Sequence, residues 1–319
     1  MKKMYVFAAV LQALLLTACS SDENLESDEL IITADMDVTN GGVSTRSLVT
    51  GSAFASDSTI GVFITGTGYT PAATVFTYSG SSWTGASSIY LTGNTATVYG
   101  YYPSGLTPNT TAITVPVTVT TTLSENAFSA SANAQADYMY AVETGETTQE
   151  TVTKSASGAT LTFKHALSEL TFIVNKSAEF GGAGNLTNIT LTKTTGTFPG
   201  GIGAMSLTDG TLSLSTVGSI SLTNSTGVSI NAASGTTATA TALVAPTTLL
   251  NAGSTSDVTL SMIIDGFTYT KTLPITTVSA WTAGNNYSYT VTVAGGTLTI
   301  TSVAITDWTS VAADGVTIE

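Results

Sequence analysis

The side chains able to do covalent or acid–base chemistry are scarce in this sequence, and three types occur once each: Cys19, His165 and Arg46. One thiol excludes an intrachain disulfide, and one Cys with one His leaves little from which to build a zinc-type cluster. Any Ser–His–Asp arrangement would have to be assembled around His165. That histidine sits in the run Phe163-Lys164-His165-Ala166-Leu167-Ser168-Glu169-Leu170, where a packed imidazole with a satisfied hydrogen bond is the favoured reading. Seven of the 21 carboxylates lie in residues 1–46, leaving 21 minus seven, or fourteen, against five lysines. They are scattered, with no D-x-D-x-D-G calcium loop and no element marking a pair for glycoside hydrolysis. Gly181-Gly182-Ala183-Gly184 and Pro199-Gly200-Gly201 lack the lysine and following helix of a phosphate cradle, so both read as turns. Tyr99, Tyr101 and Tyr102 are candidates for stacking on sugars, although tyrosines in strands more often pack. The expectation is no enzyme, no cofactor and no metal.

The other two singular residues lie near the N-terminus. Lys2 and Lys3 precede an apolar run from Met4 to Leu16, which is the layout of a secretory signal and too short to span a bilayer comfortably. Leu16-Thr17-Ala18-Cys19 resembles a bacterial lipobox. That resemblance implies cleavage after residue 18, diacylglycerol on the Cys19 sulfur and anchorage to the outer membrane. The acidic cluster Asp22, Glu23, Glu26, Asp28 and Glu29 resembles the surface-export signal of Bacteroidetes lipoproteins, and also reads as a solvated linker. Arg46 and Ser47 lie in a Gly/Ser/Thr-rich stretch, the kind of exposed loop that proteases cut. An Arg-specific protease would find one site in the whole chain and release residues 1–46.

These residues are embedded in a chain built for strands. Charged residues make up 9% of the sequence, against about 25% in an ordinary soluble domain. Thr, Ser and Gly fill the difference, favouring strands and turns. The net charge of −13 repels phosphate backbones and argues against nucleic acid as a partner. A length of 319 residues suits two domains. In Ile32-Thr33-Ala34-Asp35-Met36-Asp37-Val38, the residues Ile32, Ala34, Met36 and Val38 fall on one face at period 2 and predict a half-buried strand. Further strands are predicted at Ile60–Ile64, Thr97–Tyr102, Ile113–Val119, Leu161–Phe163, Leu170–Val174, Ile189–Leu191, Val258–Ile264, Tyr269–Ile275 and Tyr287–Val293. Long helical periodicity is absent, and only Phe163–Leu170 is compatible with one helical turn.

Several of these segments together resemble the fimbrillin family of Bacteroidetes. Phe163-Lys164-His165-Ala166-Leu167-Ser168-Glu169-Leu170-Thr171-Phe172 matches its F-K-H-A-L-x-x-L-T-F signature, and Asp137-Tyr138-Met139-Tyr140-Ala141 its D-x-M-Y-A stretch. Gly61-Val62-Phe63, Tyr101-Tyr102-Pro103, Gly284-Asn285-Asn286-Tyr287-Ser288-Tyr289 and Ile305-Thr306-Asp307-Trp308 follow in the family's order. The resemblance implies an all-β chain of two transthyretin-like β-sandwich domains in tandem. It divides the chain into a signal at 1–18, a propeptide at 19–46, an N-terminal sandwich at 47–160 and a C-terminal sandwich at 161–319. It also implies a surface fimbria of the type V pilus class. An Arg-specific protease removes the first strand, and the next subunit, in a homopolymer a second copy, fills the groove.

Physical chemistry makes that mechanism coherent. Release of 1–46 would take Ile32, Ala34, Met36 and Val38 out of their sheet and leave unpaired backbone edges. The tail 297–319 offers a filler, with Leu298 and Ile300 in one phase and Val303 and Ile305 in the other after a slip at Thr301-Ser302. Four buried aliphatic side chains would contribute roughly 6–12 kcal/mol gross, before ordering and association costs. The same tail also reads as the last strand of its own domain, and Trp308 either anchors a donated strand or caps its own core. Two other surface proteins share the leader and the sandwiches: a glycan-binding lipoprotein, and an anchor or tip subunit that keeps its lipid.

Overall fold

A computed structural model of the chain describes residues 28–37, 54–123, 128, 135–276 and 278–307. Among the described residues there is no helix; short alternating runs separated by Gly, Asn, Asp and Ser give strand after strand. The first part of the chain forms β1 (Ile31–Met36), β2 (Thr59–Thr65), β3 (Thr74–Tyr78), β4 (Trp83–Gly85), β5 (Ala96–Tyr102), β6 (Thr114–Val119), β7 (Thr122–Leu123), β8 (Met139–Glu143), β9 (Thr151–Val152) and β10 (Gly158–His165). The rest forms β11 (Ser168–Lys176), β12 (Asn185–Lys193), β13 (Phe198–Ser206), β14 (Leu212–Val217), β15 (Ser219–Ser229), β16 (Ala240–Val244), β17 (Thr247–Thr248), β18 (Val258–Ile264), β19 (Phe267–Thr272), β20 (Ala280–Trp281), β21 (Asn285–Ala294) and β22 (Thr297–Asp307). The fold class is all-β, as the sequence predicts.

An eight-stranded sheet runs β1-β10-β8-β5-β2-β3-β4, with β9 against β5. Its apolar face encloses a core that includes Ile60, Val62, Val98, Leu161 and Phe163. The chain leaves this sheet at a bend, Ala166-Leu167, and enters a four-stranded sheet, β16-β11-β21-β22. The helical turn compatible with Phe163–Leu170 is therefore not formed: β10 extends through His165 and β11 begins at Ser168. A five-stranded sheet, β19-β18-β12-β15-β7, shares a second core with the four-stranded one, centred on Phe172, Leu191, Leu260, Trp281 and Tyr289.

Two early strands cross to late ones. β6 pairs with β13 in a three-stranded sheet, β14-β13-β6, and β7 pairs in parallel with β15. A third apolar cluster lies where they cross and joins Phe63 and Tyr101 to Val117, Met205 and Leu243. Buried Gln135 ties the crossing together, donating from Nε2 to the carbonyls of Thr120 and Leu243 while its Oε1 accepts from the Leu243 amide. Pro199-Gly200-Gly201, read above as a turn, lies inside β13, where the register against β14 shifts between Pro199 and Gly203; the glycines serve a bulge.

Close packing limits what the central strands tolerate. A Cβ on Gly100 of β5 would stand 2.8 Å from Ala141 Cβ and 2.9 Å from Phe163 Cζ, both inside the first core. Overpacking at such a point costs about 1–3 kcal/mol. Gly100→Ala should therefore lower the midpoint of thermal denaturation measurably, whereas Gly105→Ala, with open space around its Cβ, should not.

Candidate functional site

The strand predicted at Ile32–Val38 is seated as an insert. β1 runs parallel to β10 from Ile31 opposite Gly158 to Met36 opposite Phe163. Alternation sends Leu30, Ile32, Ala34 and Met36 inward, each no more than 5% exposed. The other edge of the segment is also held. The Leu30 amide donates to the Ile89 carbonyl at 2.8 Å, and the Leu91 amide donates to the Asp28 carbonyl at 2.6 Å. Farther along, Trp83 Nε1 of β4 donates to the Ala34 carbonyl at 3.2 Å. β1 and β4 stand at opposite ends of the sheet order, so segment 28–37 closes the gap between them.

An aromatic set roofs the seat. Phe54 meets Trp83 edge-on at 5.0 Å and Phe163 edge-on at 5.4 Å, and Tyr78 packs on Trp83 at 5.1 Å. Each end of the segment carries an ion pair: Asp28 with Lys154 at 3.0 Å, and Asp37 with Lys164 at 3.8 Å. The hydrogen bond from Lys154 holds the Asp28 carboxyl below the ordinary carboxylate range. Sequence reasoning missed both pairs and the roof, because each joins residues far apart in the chain.

The predicted donor residues lie elsewhere. β22 is an edge strand of the four-stranded sheet, antiparallel to β21. Opposite Thr290 and Val291 the register slips from Ser302 to Ile300, leaving Thr301 as the extra residue of a bulge; this is the phase change visible in the sequence. Leu298 is buried, Ile300 and Val303 pack partly against the core, and Ile305 is 46% exposed. Cys19, Val38, Arg46, Ser47 and Trp308 lie outside the described residues.

His165 belongs to a buried polar cluster at the bend between the two large sheets. Its Nδ1 lies 3.0 Å from Asp137 Oδ1, and Asn286 Nδ2 donates to Glu169 Oε2 at 2.6 Å. Burial, reinforced by the nearby Asp137 charge, pushes the Glu169 carboxyl up to about 7. The pair has no nucleophile within it, since the Ser168 hydroxyl is committed to the Thr282 carbonyl at 2.7 Å. Of the three tyrosines, Tyr101 is buried with its hydroxyl on the Leu106 carbonyl, Tyr99 stacks on Phe63 at 5.1 Å and Tyr102 packs against the first core. They serve packing. Among the described residues, no group of three or more His, Cys, Asp or Glu could hold a metal. No described helix is long and apolar enough to cross a membrane.

Comparison with known families settles the kinship of this arrangement. The fimbrillin-like family profile matches residues 45–308. The chain belongs to the fimbrillin-like family. Membership makes it a structural, non-enzymatic protein of a cell-surface fimbrial appendage that assembles with other subunits. No curated protein matches the chain. Among solved structures it is similar to a candidate cell adhesion protein of Bacteroides uniformis (17% identity, 89% of this chain and 100% of that one, TM-score 0.58). It is also similar to a second one from Bacteroides ovatus (20% identity, 88% and 97%, TM-score 0.59) and to a fimbrial protein of Bacteroides vulgatus (12% identity, 88% and 99%, TM-score 0.50). At these identities the likeness is one of fold.

The Glu169 cluster generates a pH prediction. Its folded-state pKa of about 7 exceeds the ordinary glutamate value of 4.5, so the folded fimbrillin binds this proton more tightly than the unfolded chain. The contribution is complete below about pH 4.5 and lost as pH rises through about 7. From 4.5 to about 7 this amounts to about 3–4 kcal/mol, at roughly 1.4 kcal/mol for each tenfold change in proton affinity. Urea denaturation across that window should show Glu169→Gln removing most of this pH-dependent loss.

Proposed function

We propose that this fimbrillin is a polymerising fimbrial subunit that exchanges β1 for a strand of the next subunit after proteolysis at Arg46. One observation carries the reading: segment 28–37 is held by noncovalent contacts along one apolar face and both backbone edges, while its covalent link to the rest of the fold is the stretch 38–53 that contains Arg46. A single cut in that stretch frees the segment without severing any other strand. The family match beginning at residue 45 agrees with a body that is separable from its first strand.

In this reading the signal at 1–18 exports the chain. Lipid on Cys19 holds the precursor at the outer membrane, and an Arg-specific protease between Arg46 and Ser47 releases 1–46. The body consists of two β-sandwich domains in tandem. Loss of β1 uncovers Phe163, Leu161 and Ala159 along β10, together with one backbone edge of that strand. The filler is the tail 297–319 of a second copy, whose Leu298, Ile300, Val303 and Ile305 supply the apolar alternation. Main-chain hydrogen bonds give such an insertion its affinity, and side-chain pockets give it register. The contact is head-to-tail and does not close on itself, so repetition yields a filament.

The decisive experiment digests the lipid-free protein with an Arg-specific protease and follows it by mass spectrometry and electron microscopy. One cut at Arg46 followed by filaments or detergent-resistant ladders is the expected result, and Arg46→Gln should remain monomeric. A cut protein that stays monomeric would overturn the exchange mechanism. Ile305→Lys separates donor from structural roles. Its site is 46% exposed in the monomer, so folding stability should change by no more than about 0.5 kcal/mol. Polymerisation should be lost.

A further inference from the structure

We propose that the seat of β1 selects its incoming strand by charge, preferring a strand of a partner subunit that carries a carboxylate at each end of an apolar-alternating run. The inference rests on the strand-exchange reading and specifies the chemistry of the partner. Residues 47–319 contain five lysines against fourteen carboxylates, so the body of the protein repels acids over most of its surface. Two of those five lysines mark the two ends of this one seat. Lys164 belongs to β10 and Lys154 to the turn before it, so both stay with the body when β1 leaves. Their partners Asp28 and Asp37 stand 37 minus 28, or nine, residues apart, and depart with the strand.

The vacated seat therefore presents two ammonium groups separated by the length of the strand it lost. Lys164 is the more confined, with 29% of its side chain exposed, and gains the more from a new counter-charge. Between the lysines the seat calls for the inward sequence Leu30, Ile32, Ala34, Met36, which is large, large, small, large. The protein's own tail meets this pattern only in part. Its carboxylates are Asp307, Asp314 and Glu319, at separations of seven, five and twelve, so no register puts one on each lysine at the spacing of nine. The tail of a second copy therefore fills the seat with one lysine matched at a time, and a strand with acids nine apart is taken in preference to it.

The test uses the full chain nicked at Arg46 by an Arg-specific protease. Two peptides compete for it at equal concentration, one of them isotopically labelled: the sequence of residues 28–37, and the same sequence with Asp28→Asn and Asp37→Asn. Native mass spectrometry reads the ratio bound. At low salt the acid-ended peptide should be bound roughly three- to tenfold more. The bias should shrink at about 0.5 M salt, where surface charges are screened, and disappear in Lys154→Gln/Lys164→Gln. Equal uptake of the two peptides would overturn the charge rule while leaving strand exchange standing. Uptake of neither by fully nicked protein would overturn both.

Discussion

The seating of segment 28–37 is the constraint around which the first sheet is organised. A sheet whose ends approach each other without meeting leaves two rows of backbone groups exposed, and such edges are prone to pair with whatever arrives. Here one strand fills the gap, taking β10 on one side and the residues near Tyr90, with Trp83, on the other. Its inner face supplies Ile32, Ala34 and Met36 to the same core that holds Phe163 and Val98. Folding of the first sheet and blocking of its reactive edge are thus one event. The interactions are a row of main-chain hydrogen bonds and a stripe of aliphatic side chains, both of which a different strand could reproduce.

The two ends of the molecule are joined by more than the bend at Ala166-Leu167. β6 and β7 leave the first part of the sequence to pair with β13 and β15, and Gln135 bridges Thr120 and Leu243 within the protein. The cluster of Phe63, Tyr101, Val117, Met205 and Leu243 fills the space between. Beside it lies the polar set of Asp137, His165, Glu169 and Asn286, drawn from the segment just before β8, the end of β10, β11 and β21. Apolar packing holds this junction without regard to pH, whereas the polar set ties its strength to a proton on Glu169. In the proposed head-to-tail polymer, tension would pass through this junction in every copy.

Much of this was legible in the sequence, for a definable reason. Strands with one buried face declare themselves by period-2 alternation, and β18 coincides with its predicted span Val258–Ile264. β1, β2, β5 and β21 lie close to theirs. The slip at Thr301-Ser302 read as a phase change and is a bulge. Other strands are less legible: β14 is a short edge strand whose Leu212 and Leu214 are only partly buried, and β13 contains three glycines. Pairing was not legible either, because nothing local specifies that β1 lies parallel to β10 or that β6 crosses to β13. The ion pairs of Asp28 and Asp37 depend on that pairing, so the acids read only as charges in a leader.

β1 and β22 are both apolar-alternating edge strands, yet they are held differently, and the difference bears on which of them gives way to what. β1 is buried evenly: Leu30, Ile32, Ala34 and Met36 lie between 3% and 5% exposed along the whole segment. Such a strand leaves as a unit or not at all, which suits the proposed exchange of β1 after proteolysis. β22 is held unevenly. Leu298 is buried at its start, Thr301 interrupts the ladder, and Ile305 beyond the bulge is 46% exposed. Local opening begins where apolar contacts are fewest, so β22 frays from its C-terminal end around Ile305 more readily than β1 lifts out. Leu298 and Ile300 before the bulge and Val303 beyond it stay packed against the second core, which confines fraying to the end around Ile305. A subunit built this way can offer the far end of its last strand while keeping its own core closed.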